Sequence, residues 1–441
     1  MKRYQSRALM AGALCLALTA QAGALSVSGV AGLGASAAID VTLDTLEREG
    51  INAVPPVQDA QNIGFIGLEK TVRANNLTIQ SFHKTLAGIA NTDLDAQFFM
   101  QEMQYQAQLN QYKTEYDAYD RYVQALQALG SSDGAVQAQL QLAMTLRTLA
   151  QKGMDSMQMT IDGLDDAQEA AQDQLDETYA ETKAQLDNTA NQIVVGAQTA
   201  YLGIISTREG IETLDRNLAA LDRQIAAVEK QVELGMAAPL TLENLQQSRR
   251  SVVAQRETLE LVQQTAENQL SLLCGNTAGT TVKPTVAPTV TSKQLSDMNY
   301  TTDLAQAMEN SYSIWSAQTA VRKASNDYED DVTSTVDAYE AAKLTLENTE
   351  ESVTNSFRQM YLDVQDKKRL LDEAQAAYDM EEKNFAVDQL QYDRGMISQM
   401  DYLNAQDDLA AKQDAVTTAE HDLFTAYNTY DWARRGYMSG V

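Results

Sequence analysis

Few residues of this chain have side chains that catalysis or metal binding usually requires. Its 441 residues include two histidines and two cysteines. His83 and His421 lie in separate polar stretches, without a second ligand at a metal-binding spacing. Cys274 follows two leucines at a predicted helix end, with no histidine nearby in sequence. We interpret the histidines as surface helix positions and the cysteine as a small, half-buried residue. The sequence therefore predicts no enzyme, no cofactor and no metal site.

Carboxylates are abundant, but their pattern does not indicate a binding site. The chain has 33 Lys and Arg against 61 Asp and Glu, a net charge of −28. Such a balance excludes binding to nucleic-acid phosphates. Acidic pairs such as Asp165-Asp166 and Glu381-Glu382 lack the alternating spacing and the glycine of a calcium loop. We interpret them as solvated helix faces.

The elements that position these residues are predicted to be long helices. Only 5 Pro and 22 Gly are present, which leaves few residues that end a helix. Apolar residues also recur at the spacing of helices that pack side by side. These seams contain Ile204, Ile211, Leu214, Leu218, Leu221, Ile225, Val228 and Val232, then Leu245, Val252, Leu259, Ala266 and Leu273, and finally Tyr402, Leu409, Val416, Leu423 and Tyr430. The sequence predicts an all-α fold of coiled-coil helical hairpins.

Two parts of the sequence repeat one plan. Gly235 and Asn244 recur 160 residues later as Gly395 and Asn404. Upstream, an offset of 235 residues relates Asn75, Ile79 and Ser81 to Asn310, Ile314 and Ser316. Because a constant offset extends over many residues, it indicates an internal duplication.

These signals define four segments. Residues 1–24 have a basic start and an apolar run from Ala8 to Leu18, as in a secretory signal peptide, although a buried N-terminal helix is the alternative. The first repeat is predicted over 25–275, an extended linker over 276–296, and the second repeat over 297–436. The first repeat is longer, and we assign its surplus to an added helical hairpin at about 96–189. Gly130–Gly134 would form its turn, and Gly153 a weaker break.

The duplicated hairpins, the signal peptide and a short motif resemble the TolC-like outer membrane efflux protein family. The residues that match the second repeat are Tyr392, Gly395, Asp401, Leu403, Ala405 and Gln406, with Ala426, Tyr427 and Gly436 further on. Those that match the first are Gly235, Leu242, Asn244, Gln246, Leu273 and Gly275. The likeness extends over roughly Ile39 to Gly436.

The resemblance implies a homotrimer whose helices form a hollow trunk in the cell envelope. It also implies two kinds of partner, a periplasmic adaptor and an inner-membrane pump of the ABC, RND or a similar class. The hairpin tips, marked here by Gly235, Pro239 and Gly395, would close the tunnel. Tyr392 and Asp401 occupy the places at which the family narrows it.

The tip residues leave two interpretations open. Three copies of Asp401 around an axis would form a negative ring that favours cations. Alternatively, Asp401 is an acid in the first turn of a helix, where the helix dipole favours it. Arg394 lies close by, but Thr241 and Asn404 stand where family members have acids, so a charge-locked aperture is not expected.

A second departure concerns the membrane. The resemblance implies β-strands that cross the outer membrane, in a segment of each repeat. Here residues 326–353 and the larger insert of the first repeat are polar and helical in pattern. We therefore predict continuous helices there, with transmembrane β-strands absent or minimal, and no transmembrane helix. The location is expected to be the outer membrane from the resemblance, or a periplasmic or other extracytoplasmic site.

The leading hypothesis is thus a passive export conduit of an efflux or secretion system. The alternative is a non-conducting extracytoplasmic coiled-coil scaffold.

Overall fold

The computed structural model describes residues 62–130, 132–277 and 280–438. The predicted signal peptide lies outside the described residues. Within them, eleven helices and two short strands form. The strands are β1 (Asn62–Ile63) and β2 (Lys283–Pro284). The helices are α1 (Phe65–Asn75), α2 (Leu77–Ala90), α3 (Leu94–Ala128), α4 (Gly134–Asp162), α5 (Leu164–Glu233), α6 (Pro239–Leu273), α7 (Ser292–Asp297), α8 (Tyr300–Asn310), α9 (Tyr312–Asn326), α10 (Thr333–Asp393) and α11 (Gln399–Arg434).

None of the helices in the described part of the chain has a stretch apolar and long enough to cross a membrane. The chain divides into two compact units. One unit contains His83–Lys183, and the other contains the described residues before His83 and after Lys183.

In the first unit, α3 and α4 form an antiparallel hairpin. Gly130 in the connecting turn has a φ of 55°, a conformation that glycine adopts without strain. Val123 and Leu126 of α3 pack on Ala143 of α4. The prediction of a break at Gly153 is wrong, because α4 continues through it. Gly153 is needed there for close packing, since a Cβ atom would lie 2.7 Å from the ring of Tyr112.

In the second unit the duplication is visible in the helix bounds. Phe65–Asn75 and Tyr300–Asn310, the bounds of α1 and α8, differ by 235 residues at both ends. Glu233 and Asp393, which end α5 and α10, differ by 160. The predicted all-α class, with long hairpins and an internal duplication, is confirmed.

Each repeat has its own apolar core, and the predicted heptad seams contribute to both. Tyr201, Ile204 and Leu270 belong to the core of the first repeat. Phe357 and Tyr430 belong to that of the second. Each of these five side chains is nearly or fully buried.

Each repeat also ends at a glycine that touches its first helix. Gly275 and Gly436 follow α6 and α11 with φ values of 81° and 90°. A Cβ atom at either position would collide with backbone atoms, of Asn75 in the first repeat and of Asn310 in the second. Only glycine meets both demands, a left-handed backbone and no side chain.

The segment predicted as a connector contains β2, and in its described residues no helix precedes α7. β2 pairs in parallel with β1, in the register Asn62 with Lys283. Its last residues are helical rather than extended, because Thr291 and Gln294 form a capping box that starts α7.

The stretch predicted as a continuous helix over 326–353 is interrupted once. α9 ends at Asn326 and α10 begins at Thr333. The hydroxyl of Thr335 accepts a hydrogen bond from the Glu329 amide at 3.1 Å, so a turn forms without glycine or proline. From Thr333 onward the stretch is helical, as expected.

Candidate functional site

The two hairpin tips are built alike. At the end of α5, the amide of Met236 donates to the carbonyl of Gln231, and at the end of α10 that of Met396 donates to Gln391. Gly235 and Gly395 between them have φ values of 73° and 70°. This is the Schellman arrangement that ends a helix and reverses the chain.

The helices that leave the tips begin differently. α6 has Pro239 in its first turn and no side-chain cap. In α11 the hydroxyl of Ser398 accepts a hydrogen bond from the Asp401 amide at 3.1 Å, and the Asp401 carboxylate accepts one from the Ser398 amide at 3.2 Å. The Ser398 hydroxyl also donates to the Asp401 carboxylate at 2.7 Å, and this hydrogen bond, together with the one from the Ser398 amide, lowers the pKa of the Asp401 carboxyl. Within one copy, Asp401 therefore acts as a helix-start residue.

The other predicted tip residues do not form one cluster around Asp401. Tyr392 stacks on Tyr402, with ring centroids 4.7 Å apart. Arg394, Asn404 and Thr241 are exposed. The residues proposed for a constriction therefore lie on an open surface of the single chain.

The repeats meet along α5 and α11, through charged pairs that sequence reasoning missed. His421 Nδ1 lies 2.9 Å from a carboxylate oxygen of Glu209. Arg216 pairs with Asp414. Seven residues further along α5, Arg223 pairs with Asp407. The members on each helix are seven residues apart, so they form a ladder along one face.

His421 was predicted as a surface position, and this is wrong. Its side chain is 14% exposed and lies in the contact between the repeats. Burial raises the pKa of the Glu209 carboxyl, and the neighbouring His421 acts in the opposite direction. The signal that could have revealed the pair is the seven-residue spacing shared by Asp407, Asp414 and His421.

α5 also carries a second ladder toward α6. Arg256 lies 2.6 Å from Asp215, and Arg249 lies 2.6 Å from Asp222. Adjacent residues of α5 thus face different neighbours, since Asp215 contacts α6 whereas Arg216 contacts α11. α5 is therefore held between the two helices.

A groove of about 890 Å³ runs between α5, α6 and α11. Its lining includes Glu209, Thr213, Arg216, Thr258, Asp414 and Thr417. Hydroxyl and charged groups of this kind hold water, and the residues of the ladder form one wall. We assign the groove no ligand.

The same two faces recur on the equivalent helices, α10 of the second repeat and α6 of the first, but there they are exposed. Ala220 and Ala227 of α5 are half-buried, whereas their equivalents on α10, Met380 and Val387, are more than half exposed. On α11, His421 is half-buried, whereas its equivalent on α6, Leu261, is also more than half exposed. Gln247 and Ala254, the equivalents of Asp407 and Asp414, are exposed too.

The remaining chemistry of the described residues is sparse. They contain no group of three or more His, Cys, Asp or Glu side chains that could hold a metal ion. Cys274 is buried, and burial raises the pKa of its thiol to about 11. A thiol in that state is a poor nucleophile near neutral pH.

The fold is one of duplicated long helical hairpins, and solved structures of membrane proteins share features of it. A membrane protein from Pseudomonas aeruginosa is 13% identical over 60% of this chain and 70% of its own, with a TM-score of 0.47. The outer membrane protein VceC from Vibrio cholerae is 15% identical over 60% and 74%, with a TM-score of 0.43. The Campylobacter jejuni CmeC outer membrane channel is 15% identical over 63% and 69%, with a TM-score of 0.37.

No protein-family profile and no curated protein matches the sequence.

Proposed function

We propose that this chain is a TolC-like tunnel component of an efflux or secretion system, and that it acts as a passive conduit rather than as an enzyme. The proposal depends most on one observation. Within the chain, α5 packs on α11, whereas the equivalent faces of α10 and α6 are exposed and include Met380, Val387 and Leu261. An apolar face of this kind on a water-exposed helix indicates a contact with another protein surface.

The duplication supports a second copy as the partner of each exposed face. If α10 of one copy packs on α6 of the next, as α5 packs on α11, one head-to-tail contact repeats around an axis. Such a contact closes into a ring when its rotation fits a whole number of copies. The number three, the periplasmic adaptor, the inner-membrane pump and the place in the cell envelope are taken from the family resemblance. In that arrangement the pump supplies the energy, and the tips near Gly235 and Gly395 would part to admit cargo.

The first test is the mass of the native assembly. We expect three copies by multi-angle light scattering, and a hollow tube in electron micrographs. A double variant, Met380→Asp with Val387→Asp, should dissociate into monomers, since two buried carboxylates would oppose the contact. Gln389→Asp is the control, because it adds a negative charge, one instead of two, at an exposed position on the opposite side of α10. A wild-type monomer would contradict the proposal.

The second test separates a conduit from a scaffold. A trimer reconstituted in a planar bilayer should conduct ions, and Asp401→Asn should reduce its preference for cations if three carboxylates form a ring. A stable trimer without conductance would favour the scaffold. If Asp401→Asn does not change the preference for cations, Asp401 has only its role at the start of the helix.

A further inference from the structure

The hairpin of α3 and α4 in the first unit has a second apolar face on each helix, on the side turned away from the contact between them. On α4 this face contains Leu142, Leu149 and Met159, which are between 60% and 75% exposed. We call these residues the leucine face. Three large side chains at this exposure on one helix are unusual for a surface that meets only water.

The corresponding face of α3 has small side chains from Ala107 onward, whereas before it Met100 and Met103 are exposed on the same side. Ala107, Ala118 and Ala125 are exposed on the side opposite to Val123 and Leu126, which pack on α4. We call these three the alanine face. Both faces follow the three- and four-residue spacing of a helix that packs along another helix.

The hairpin itself shows which residues lie at the same level. Arg147 lies 2.8 Å from Asp120, and Gly153 lies against the ring of Tyr112. Because the helices are antiparallel, each step forward along α3 is a step back along α4. In this register Ala125 is level with Leu142, Ala118 with Leu149, and Ala107 with Met159.

Two copies of the hairpin placed side by side would therefore present complementary faces. At each of the three levels, a large side chain on α4 faces an alanine on α3 of the neighbour. Between them, polar residues meet polar residues, since Thr145 is level with Arg121 and Ser156 with Asn110. Large side chains opposite small ones are how packed helices fill space without voids.

We propose that the leucine face of one copy packs on the alanine face of the next, as a self-association surface separate from that of α10 and α6. The contact is head-to-tail, and each copy uses both of its faces, so it continues around an axis as the contact in the second unit does. This inference takes the number of copies, three, from the proposed function, and it takes nothing else from it. The added hairpin then has a role, because it forms a helical ring of its own.

The test is disulfide cross-linking of the full-length chain. Ala118→Cys combined with Leu149→Cys places thiols on opposite outer sides of one hairpin, where they cannot meet within a chain. Between copies the Cα atoms would come within the roughly 4.4–6.8 Å that a disulfide spans. With oxygen and a copper–phenanthroline catalyst, we expect covalent dimers and trimers on denaturing gels, which a reductant reverses. Of the two native cysteines, Cys274 is buried, and Cys15 is replaced by serine in every variant so that it cannot cross-link.

Gln108→Cys combined with Gln158→Cys is the matched control. Both residues are exposed at one level of the same hairpin, but lie off the two faces. The control should remain monomeric on denaturing gels.

The outcomes distinguish this inference from the proposed function. A native trimer in which only the face pair cross-links supports both. A native trimer in which neither pair cross-links overturns the inference and leaves the proposed function in place. A monomer by light scattering whose face pair still cross-links supports the inference but contradicts the trimeric tunnel. A monomer without cross-links overturns both.

A lipid surface is the other candidate occupant of the leucine face. If no cross-link forms, flotation with phosphatidylcholine vesicles tests this alternative. A native chain that floats with the vesicles, and a Leu142→Asp, Leu149→Asp double variant that does not, would overturn the inference and identify a lipid surface as the occupant.

Discussion

At the scale of single residues, Asp401 shows how a carboxylate can have a local role and an assembled one. Within one copy it completes the capping box of α11 with Ser398, and this lowers its pKa. A lowered carboxyl pKa stabilises the fold above the ordinary carboxyl pKa, and this contribution is lost as the pH falls through the lowered value. In a closed ring, two further carboxylates nearby would raise the pKa instead.

We predict that Ser398→Ala returns the Asp401 pKa toward its ordinary value and weakens the start of α11 by about 1 kcal/mol. The pKa can be followed by carboxyl-carbon NMR in a monomeric form of the chain, such as the Met380→Asp, Val387→Asp double variant. A pKa that stays low in Ser398→Ala would mean that another group holds the charge. A higher pKa in the trimer than in the monomer would favour the ring.

Gly153 gives a second prediction at this scale. Alanine normally stabilises a helix relative to glycine by up to ~1 kcal/mol. At Gly153 the added Cβ would meet the Tyr112 ring, so we expect Gly153→Ala to destabilise the α3–α4 hairpin by about 1–3 kcal/mol. Hydrogen exchange of α4 amides would measure this change locally.

The control for Gly153→Ala is Gly203→Ala, a helical glycine with open space around its Cβ position, which should stabilise α5. Tyr112→Ala in the Gly153→Ala background should remove the clash. If Gly153→Ala instead protects α4 from exchange, the close packing inferred here is incorrect.

At the scale of elements, the four glycines that end long helices are not equivalent. All have positive φ, but Gly235 and Gly395 at the tips face open space, whereas Gly275 and Gly436 contact the backbone of α1 and α8. Alanine at the tips should cost about 1–2 kcal/mol for the left-handed backbone. Alanine at Gly275 or Gly436 should cost about 2–5 kcal/mol, because the collision adds to it.

Urea denaturation of the four single variants would check this order. The pairs test the duplication as well, since equivalent positions should behave alike in the two repeats. Equal losses at all four glycines would contradict the close approach of each repeat's last glycine to its first helix.

The sequence predicted these elements well where a single pattern in the sequence determined the structure. Constant offsets revealed the repeats because α1 and α8, and the ends of α5 and α10, occupy equivalent positions. The prediction from sequence failed where helix propensity and packing pointed to different structures. Gly153 was predicted as a break by its propensity, but packing against Tyr112 decided its role.

His421 was misjudged for a related reason. Its sequence neighbours are polar, and its partner Glu209 lies in the other repeat, so only the seven-residue spacing of Asp407, Asp414 and His421 points to the contact. The same limit applies to Asp401 and Tyr392, whose roles in the proposed assembly would depend on what a second copy brings to the tip. Long-range pairing between helices of similar composition is the part that local sequence rules do not determine.

At the scale of the whole molecule, net charge decides how assembly responds to salt. Each chain carries −28, so bringing copies together is opposed by repulsion at long range. The proposed contact between copies offers little charge attraction in return. On α10, the equivalents of Glu209, Arg216 and Arg223 are Arg369, Ala376 and Lys383. The α6 residues that would lie opposite them carry no charge, namely Leu261, Ala254 and Gln247, so the pairs that hold α5 to α11 cannot form there.

We therefore predict that salt promotes assembly. The Debye length falls from about 30 Å at 0.01 M to about 8 Å at 0.15 M ionic strength, which screens the repulsion between copies while leaving the apolar contact intact. Sedimentation velocity at fixed protein concentration should show monomers giving way to trimers over this range. Met380→Asp with Val387→Asp should stay monomeric at both salt concentrations, and Gln389→Asp should follow the wild type. Dissociation of the wild type by added salt would mean that charged pairs hold the copies together, and that the contact between copies is not the one inferred from the duplication.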